Sequence, residues 1–155
     1  MTRGTLVLLG NLAVERRQVD GLAVEFGWSV EAALNLDHLQ QLSLDRNIVA
    51  VLLDVQDLCE AWMEVLESLQ EVAPGALPIV CQRFSEQLPW PELAEAGAFH
   101  MLSLPICATE LRQSLGFVWA AQRRHLANLI RLDRAPRERT ARALHPTARA
   151  NSVVA

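Results

Sequence analysis

Residues 48–55, Ile48-Val49-Ala50-Val51-Leu52-Leu53-Asp54-Val55, are the stretch on which the fold turns. Six apolar residues in a row, Ile48 to Leu53, leave no polar face for solvent. That is the pattern of an inner strand covered by helices on both sides, as in a parallel sheet. The run is far short of the roughly 18 apolar residues of a membrane span. It ends in a carboxylate, Asp54, at what would be the carboxyl end of the strand.

Outward from this strand the chain alternates helix-period and strand-like segments. Downstream, Leu58, Trp62, Val65, Leu66, Leu69 and Val72 form a helical stripe stopped by Pro74-Gly75. Leu77–Cys81 reads as a fourth strand, followed by a loop with Pro89, Trp90 and Pro91 and a short helix, Glu92–Ala96, stopped at Gly97. Phe99–Leu104 reads as a fifth strand ended by Pro105, and Thr109–Gln122 as a last helix with Leu111, Leu115, Val118 and Trp119 inward. Upstream, Thr5–Gly10 reads as a first strand. Val19, Leu22, Ala23 and Phe26 then share one helical face, opposite Arg16, Arg17 and Asp20. Trp28–Leu34 fits a second strand and Leu36–Leu44 a short helix, with Asp37 in the first turn where the helix dipole favours an acid.

Five strands interleaved with five helices predict an α/β fold. It is an open five-stranded parallel sheet, helices on both faces, joined by right-handed crossovers. The expected strand order is 2-1-3-4-5, which puts the ligand crevice at the carboxyl ends of strands 1 and 3. Gly10, Asn11 and Asp54 occupy those ends.

At 155 residues the chain is one ordinary domain with an appendage. Its composition, 51% hydrophobic and 21% charged, is that of a folded globular protein. Charge divides it sharply. Residues 1–122 hold 6 arginines against 16 acids, and residues 123–155 hold 8 arginines against 2 acids. The reading is therefore a body over 1–122, an extension of the last helix over 123–134, and an Arg-rich tail over 135–155. The tail has two prolines and no apolar periodicity, so it is expected to be disordered. The N-terminus lacks a signal-peptide pattern, so a cytoplasmic protein without a membrane anchor is expected.

Several chemistries are excluded by what the sequence omits. It has no lysine, so neither a P-loop lysine nor Schiff-base catalysis is available. Its seven glycines form no nucleotide-binding or nucleophile-elbow motif. His38, His100, His125 and His145 are scattered, and Cys59, Cys81 and Cys107 include no C-x-x-C pair. No metal site, cofactor or catalytic residue is expected from them, and the cysteines read as small buried hydrophobes.

The layout resembles the receiver domain of bacterial two-component response regulators over residues 5–122. VAVLLDV (Val49–Val55) looks like that family's third strand, and the resemblance makes Asp54 the equivalent of its phospho-acceptor. AWMEVLESL lies in register with its third helix, ALPIVCQ with its fourth strand, and GAFHMLSLPICATELRQSL resembles its G-A-x-x-Y-L-x-K-P segment, including Gly97, Pro105 and Leu111. The resemblance also implies where phosphotransfer groups should stand. The acidic pair after strand 1 is Gly10-Asn11 here, the hydroxyl after strand 4 is Gln82 or Arg83, and the lysine before Pro105 is Leu104. Asp57-Leu58 replaces the usual Met-Pro, Trp62 the usual Gly, and His100 or Met101 stands where an aromatic is common.

These replacements weaken the implied Mg²⁺ site. A carboxylate about 4 Å from another charge is worth up to about 4 kcal/mol at an effective dielectric near 20. Losing half of one such contact weakens binding roughly 30-fold. Asn11 offers a neutral carbonyl and Gly10 nothing. Leu104 offers no cation to an acyl phosphate. Arg83 is the candidate substitute, and it is also able to pair with Asp54 and hold one fixed state.

The expectation is therefore a degenerate receiver, not an enzyme, acting through protein contacts. The resemblance implies a partner surface on helix 4, strand 5 and helix 5, for a signalling protein or a second copy in a homodimer. Trp90, Trp119, Leu126, Leu129 and Ile130 are its candidate contacts, the last three on an apolar edge interleaved with Arg123, Arg124 and Arg131. The alternative is a phosphorylatable single-domain regulator that takes phosphate on Asp54 from a histidine kinase, with Mg²⁺ as cofactor. Nucleic acid is the weaker reading of the arginines, because the tail has no aromatics and the acidic body repels a duplex.

Overall fold

The computed structural model describes residues 4–54, 62–83 and 89–143, with side chains as far as Asp133. The order is β1 (Gly4–Leu9), α1 (Arg16–Ala23) running into a 3₁₀ turn (Val24–Phe26), β2 (Trp28–Ala33), α2 (Leu36–Asp45) and β3 (Ile48–Asp54). It continues with α3 (Trp62–Val72), β4 (Leu77–Arg83), α4 (Trp90–Glu95), β5 (His100–Leu104) and α5 (Ala108–Ala143). All strand pairs are parallel, in the order β2-β1-β3-β4-β5. This is the expected sheet.

Every position of β3 is buried, because its two faces meet two different helix layers. Ala50 and Leu52 join Leu6, Leu8, Ile79, Cys81 and Leu102 in a core under α1 (Val19, Leu22, Ala23) and α5 (Leu111, Leu115, Val118). Val51 and Leu53 join Val7, Leu9 and Val80 in a second core under α2 (Leu39), α3 (Leu66, Leu69) and α4 (Leu93). The period-2 alternation of the strands thus separates the helices, α1 and α5 on one side and α2, α3 and α4 on the other.

Local chemistry sets the element ends. The Asn35 side chain accepts the His38 backbone N–H at 2.9 Å and caps α2. Gly27, at φ +75°, ends the 3₁₀ turn in the left-handed conformation that glycine adopts without a Cβ clash. Gln18 donates to the Ile106 carbonyl at 3.1 Å, and Arg112 binds both oxygens of Glu25 at 3.1 and 3.2 Å, linking α1 to the last crossover and α5.

Several boundaries differ from the sequence expectation. α4 begins at Trp90, which therefore lies on the helix and not in the loop before it. Pro91 is no obstacle, since the first helical turn has no intrahelical use for its N–H. β4 runs on to Arg83. Trp119, expected inward, is 42% exposed, whereas Leu111, Leu115 and Val118 are fully buried. It sits one residue beyond Val118 and so turns about 100° away from that stripe. Leu58, Cys59 and the Asp57-Leu58 replacement lie outside the described residues.

The chain divides into two compact units, Met1–Trp119 and Ala120–Ala155. In the second unit the backbone stays helical to Ala143, past Ala135 where the sequence reading expects order to stop. Residues 135–143 are mostly Ala and Arg, strong helix formers. Extending a helix already nucleated upstream adds one hydrogen bond per residue fixed; nothing among the described residues accounts for its passing Pro136. Among the described residues no helix is long and apolar enough to cross a membrane.

Candidate functional site

At the carboxyl ends of β1 and β3, where a ligand crevice is expected, stands Asp54, the last residue of β3. Its side chain follows Ala50 and Leu52 on the α1/α5 side of the sheet, and the residue is 2% exposed. The β3/β4 ladder sets Asp54 level with Cys81, and the β4/β5 ladder sets Cys81 level with Leu102 and Arg83 level with Leu104. Cys81 is fully buried. Burial pushes its thiol well above the ordinary range, and the negative charges of Asp54 and Glu15 push it further the same way.

Glu15 is the residue that sequence reasoning missed. It is half-buried just before α1, outside the two positions that follow β1 directly. Only the turn of the chain from β1 into α1 brings its charge within reach of Cys81, and no motif signals that.

On the β1 side the backbone turns sharply. The Gly10 N–H donates to the Ala33 carbonyl at 3.3 Å, and the Leu12 N–H to the Gly10 carbonyl at 3.2 Å. Gly10 has φ +95°, a conformation that costs an L-residue about 1–2 kcal/mol. A carboxylate at position 10 would therefore be strained as well as absent. Asn11 is exposed, and Leu12 returns to the core.

The register distinguishes the two residues considered for the hydroxyl position. Alternation along β4 puts Arg83 on the side of Cys81 and Asp54, level with Leu104, and puts Gln82 on the opposite side, paired with Ser103. Arg83 is exposed, and the ion pairs found among the described residues have other partners: Arg16 with Asp20, Arg46 with Glu31, Arg112 with Glu25. The possible Arg83–Asp54 pairing is not among them. Leu104 is buried in the α1/α5 core with Ile106, and the Leu104–Pro105 peptide is cis.

Mg²⁺ demands near-octahedral oxygen ligation, usually with one or two carboxylates. Among the described residues no group of three His, Cys, Asp or Glu side chains is arranged to hold a metal. The residues that follow β1, Gly10 and Asn11, bring no charge. These two positions supply neither of those carboxylates.

The contact candidates divide between the two units. In the first, Trp90 begins α4 and is 39% exposed, and Phe117 and Trp119 stand exposed on α5. Phe117, which sequence reasoning did not single out, meets the His100 ring edge-on at 6.1 Å. In the second unit, Leu126, Leu129, Ile130 and Leu132 are 49–65% exposed along one stretch of helix.

Among solved structures the chain is similar to NtrX from Brucella abortus, with a TM-score of 0.67 and 16% identity over 81% of this chain and 29% of that one. It is similar to a response regulator from Thermotoga maritima, with a TM-score of 0.64 and 16% identity over 76% of this chain and 98% of that one. It is also similar to a CheY-like receiver domain protein from Methanospirillum hungatei, at 0.64 and 15% over 79% and 98%. The chain thus spans less than a third of NtrX and matches nearly the full length of the other two. The likeness is one of fold: the chain has the response-regulator receiver fold. No protein-family model and no curated protein matches the sequence.

Proposed function

We propose that this chain, built on the receiver fold, is a degenerate receiver that works by protein contact in bacterial signal transduction, without Mg²⁺-dependent phosphotransfer. One observation carries the reading. Around the buried Asp54 the neighbouring strand ends present Gly10, Arg83 and Leu104, where acyl-phosphate chemistry calls for carboxylates, a hydroxyl and an ammonium. The charges that act on the neighbouring Cys81, from Asp54 and Glu15, are both negative. Phosphorylation would exchange the single charge of the Asp54 carboxylate for the roughly double charge of an acyl phosphate, with no lysine to offset it.

On this reading Asp54 is a structural strand-end aspartate, and the protein is a cytoplasmic binding module with no cofactor and no catalytic residue. Its partner is a protein, either a signalling component or a second copy of the chain. Exposed apolar side chains are available for that contact: Trp90 on α4, Phe117 and Trp119 on α5, and Leu126, Leu129 and Ile130 in the second unit. Exposed apolar side chains grouped in this way favour protein over nucleic acid.

One observation favours a second reading, a phosphorylatable regulator served by a histidine kinase. Glu15 brings a carboxylate toward the end of β3 from outside the expected pair, and it is the residue that would replace a missing acid. Incubation with Mg²⁺ and acetyl phosphate, followed by intact mass, separates the two. The degenerate reading predicts no phosphoryl adduct on the wild-type protein. An adduct that disappears in both Asp54→Asn and Glu15→Gln would establish the second.

A further inference from the structure

Beside the Asp54 crevice, between the ends of β1 and β2 and the start of α1, lies a cleft of about 420 Å³ lined by Leu8, Gly10, Asn11, Leu12, Ala13, Arg16, Ala32 and Leu34. We infer that this cleft is a binding site for a small amphipathic carboxylate, an acid with a short aliphatic or aromatic body. The inference does not depend on whether Asp54 takes phosphate.

Size and lining set the class of ligand. Small-molecule sites occupy about 300–1,000 Å³ and combine an apolar lining with a few convergent polar groups. At about 30 Å³ per water-sized unit the cleft has room for roughly a dozen non-hydrogen atoms. Ala13, Ala32 and Leu34 offer exposed aliphatic surface over the buried Leu8 and Leu12, and Leu34 is 84% exposed. Covering that surface is a favourable term for a ligand with an apolar body.

Charge sets the sign. The first 122 residues are strongly acidic, yet the lining includes one cation, Arg16, and no acid. The Arg16 Nη2 donates to the Val30 carbonyl of β2 at 3.4 Å, which holds the guanidinium beside that strand, and its Nε lies 3.8 Å from Asp20. A guanidinium has five N–H donors, so it can serve these neighbours and still receive a carboxylate. Asn11 adds an amide at the rim. Gly10 and Asn11, where the receiver resemblance would place two acids, add no carboxylate to the lining, so the nearest acid to Arg16 is Asp20 outside it.

The test uses the full chain and octanoate as probe, with octanamide as the neutral analogue, followed by backbone amide shifts. Expected is saturable binding with a dissociation constant on the order of 0.1–1 mM, with shifts confined to residues 8–16 and 30–34. Octanamide should bind the wild-type about tenfold more weakly, and octanoate should lose about as much in Arg16→Gln. Ala32→Trp fills the cleft from an exposed position and should abolish the shifts while leaving the rest of the spectrum native. Octanoate shifts that fail to saturate, that survive in Ala32→Trp, or that are matched by octanamide would overturn the proposal.

Discussion

Asp54 and Cys81 stand next to one another on the adjacent strands β3 and β4. Both lie at the sheet's carboxyl edge, level with one another and out of water. Burial and the two nearby carboxylates raise the Cys81 thiol far above its ordinary value of 9.0. The folded protein therefore keeps this proton where the unfolded chain would release it. The associated stability is fully present below about pH 9 and falls as pH rises beyond it, by up to about 1.4 kcal/mol per pH unit. Urea unfolding between about pH 8 and 10.5 should show this fall, and Cys81→Ala should flatten it. A pH slope unchanged in Cys81→Ala would contradict the assignment. Asp54 was legible from the sequence because an uninterrupted apolar run ends on it. Glu15 was not, because its approach to the sheet depends on how Gly10 turns the chain. The ambiguity between Gln82 and Arg83 also needed the ladder, since a step of one residue moves a side chain to the other face.

Among the elements, α5 has two regimes. Leu111, Leu115 and Val118 are fully buried in the core, whereas Leu126, Leu129 and Ile130 are about half exposed or more. Leu115→Ala should cost about 2–5 kcal/mol of folding free energy through lost burial and the cavity left behind. Leu129→Ala should cost the isolated protein about 0.5 kcal/mol or less. Chemical denaturation at low protein concentration measures both, and equal losses would contradict this division of the helix. The strands and the helix stripes were readable because burial imposes periods of 2 and 3.6. Element ends were less so. Prolines read as loop signals at Trp90-Pro91 and Pro136; the first helical turn tolerates the one, and the helix runs past the other with no local feature to explain it.

For the molecule as a whole, the proposed loss of phosphate chemistry from the receiver fold would leave surfaces to carry function. The acidic body and the arginine-rich second unit have opposite charge, and the second unit exposes four large apolar side chains within seven residues. If those side chains pair two copies, sedimentation velocity should show a dimer that strengthens with concentration, and Leu126→Asp with Ile130→Asp should leave a folded monomer. A wild-type monomer at every concentration would direct the search to a different protein partner. The central claim, that phosphotransfer has been lost at Asp54, is tested most directly by titrating the protein with Mg²⁺ and beryllofluoride, a mimic of the aspartyl phosphate. Backbone amide shifts and the four tryptophans report the response, with Asp54→Asn as control. The account predicts the same silence from wild-type and mutant. Saturable shifts around Asp54 that vanish in Asp54→Asn would contradict it.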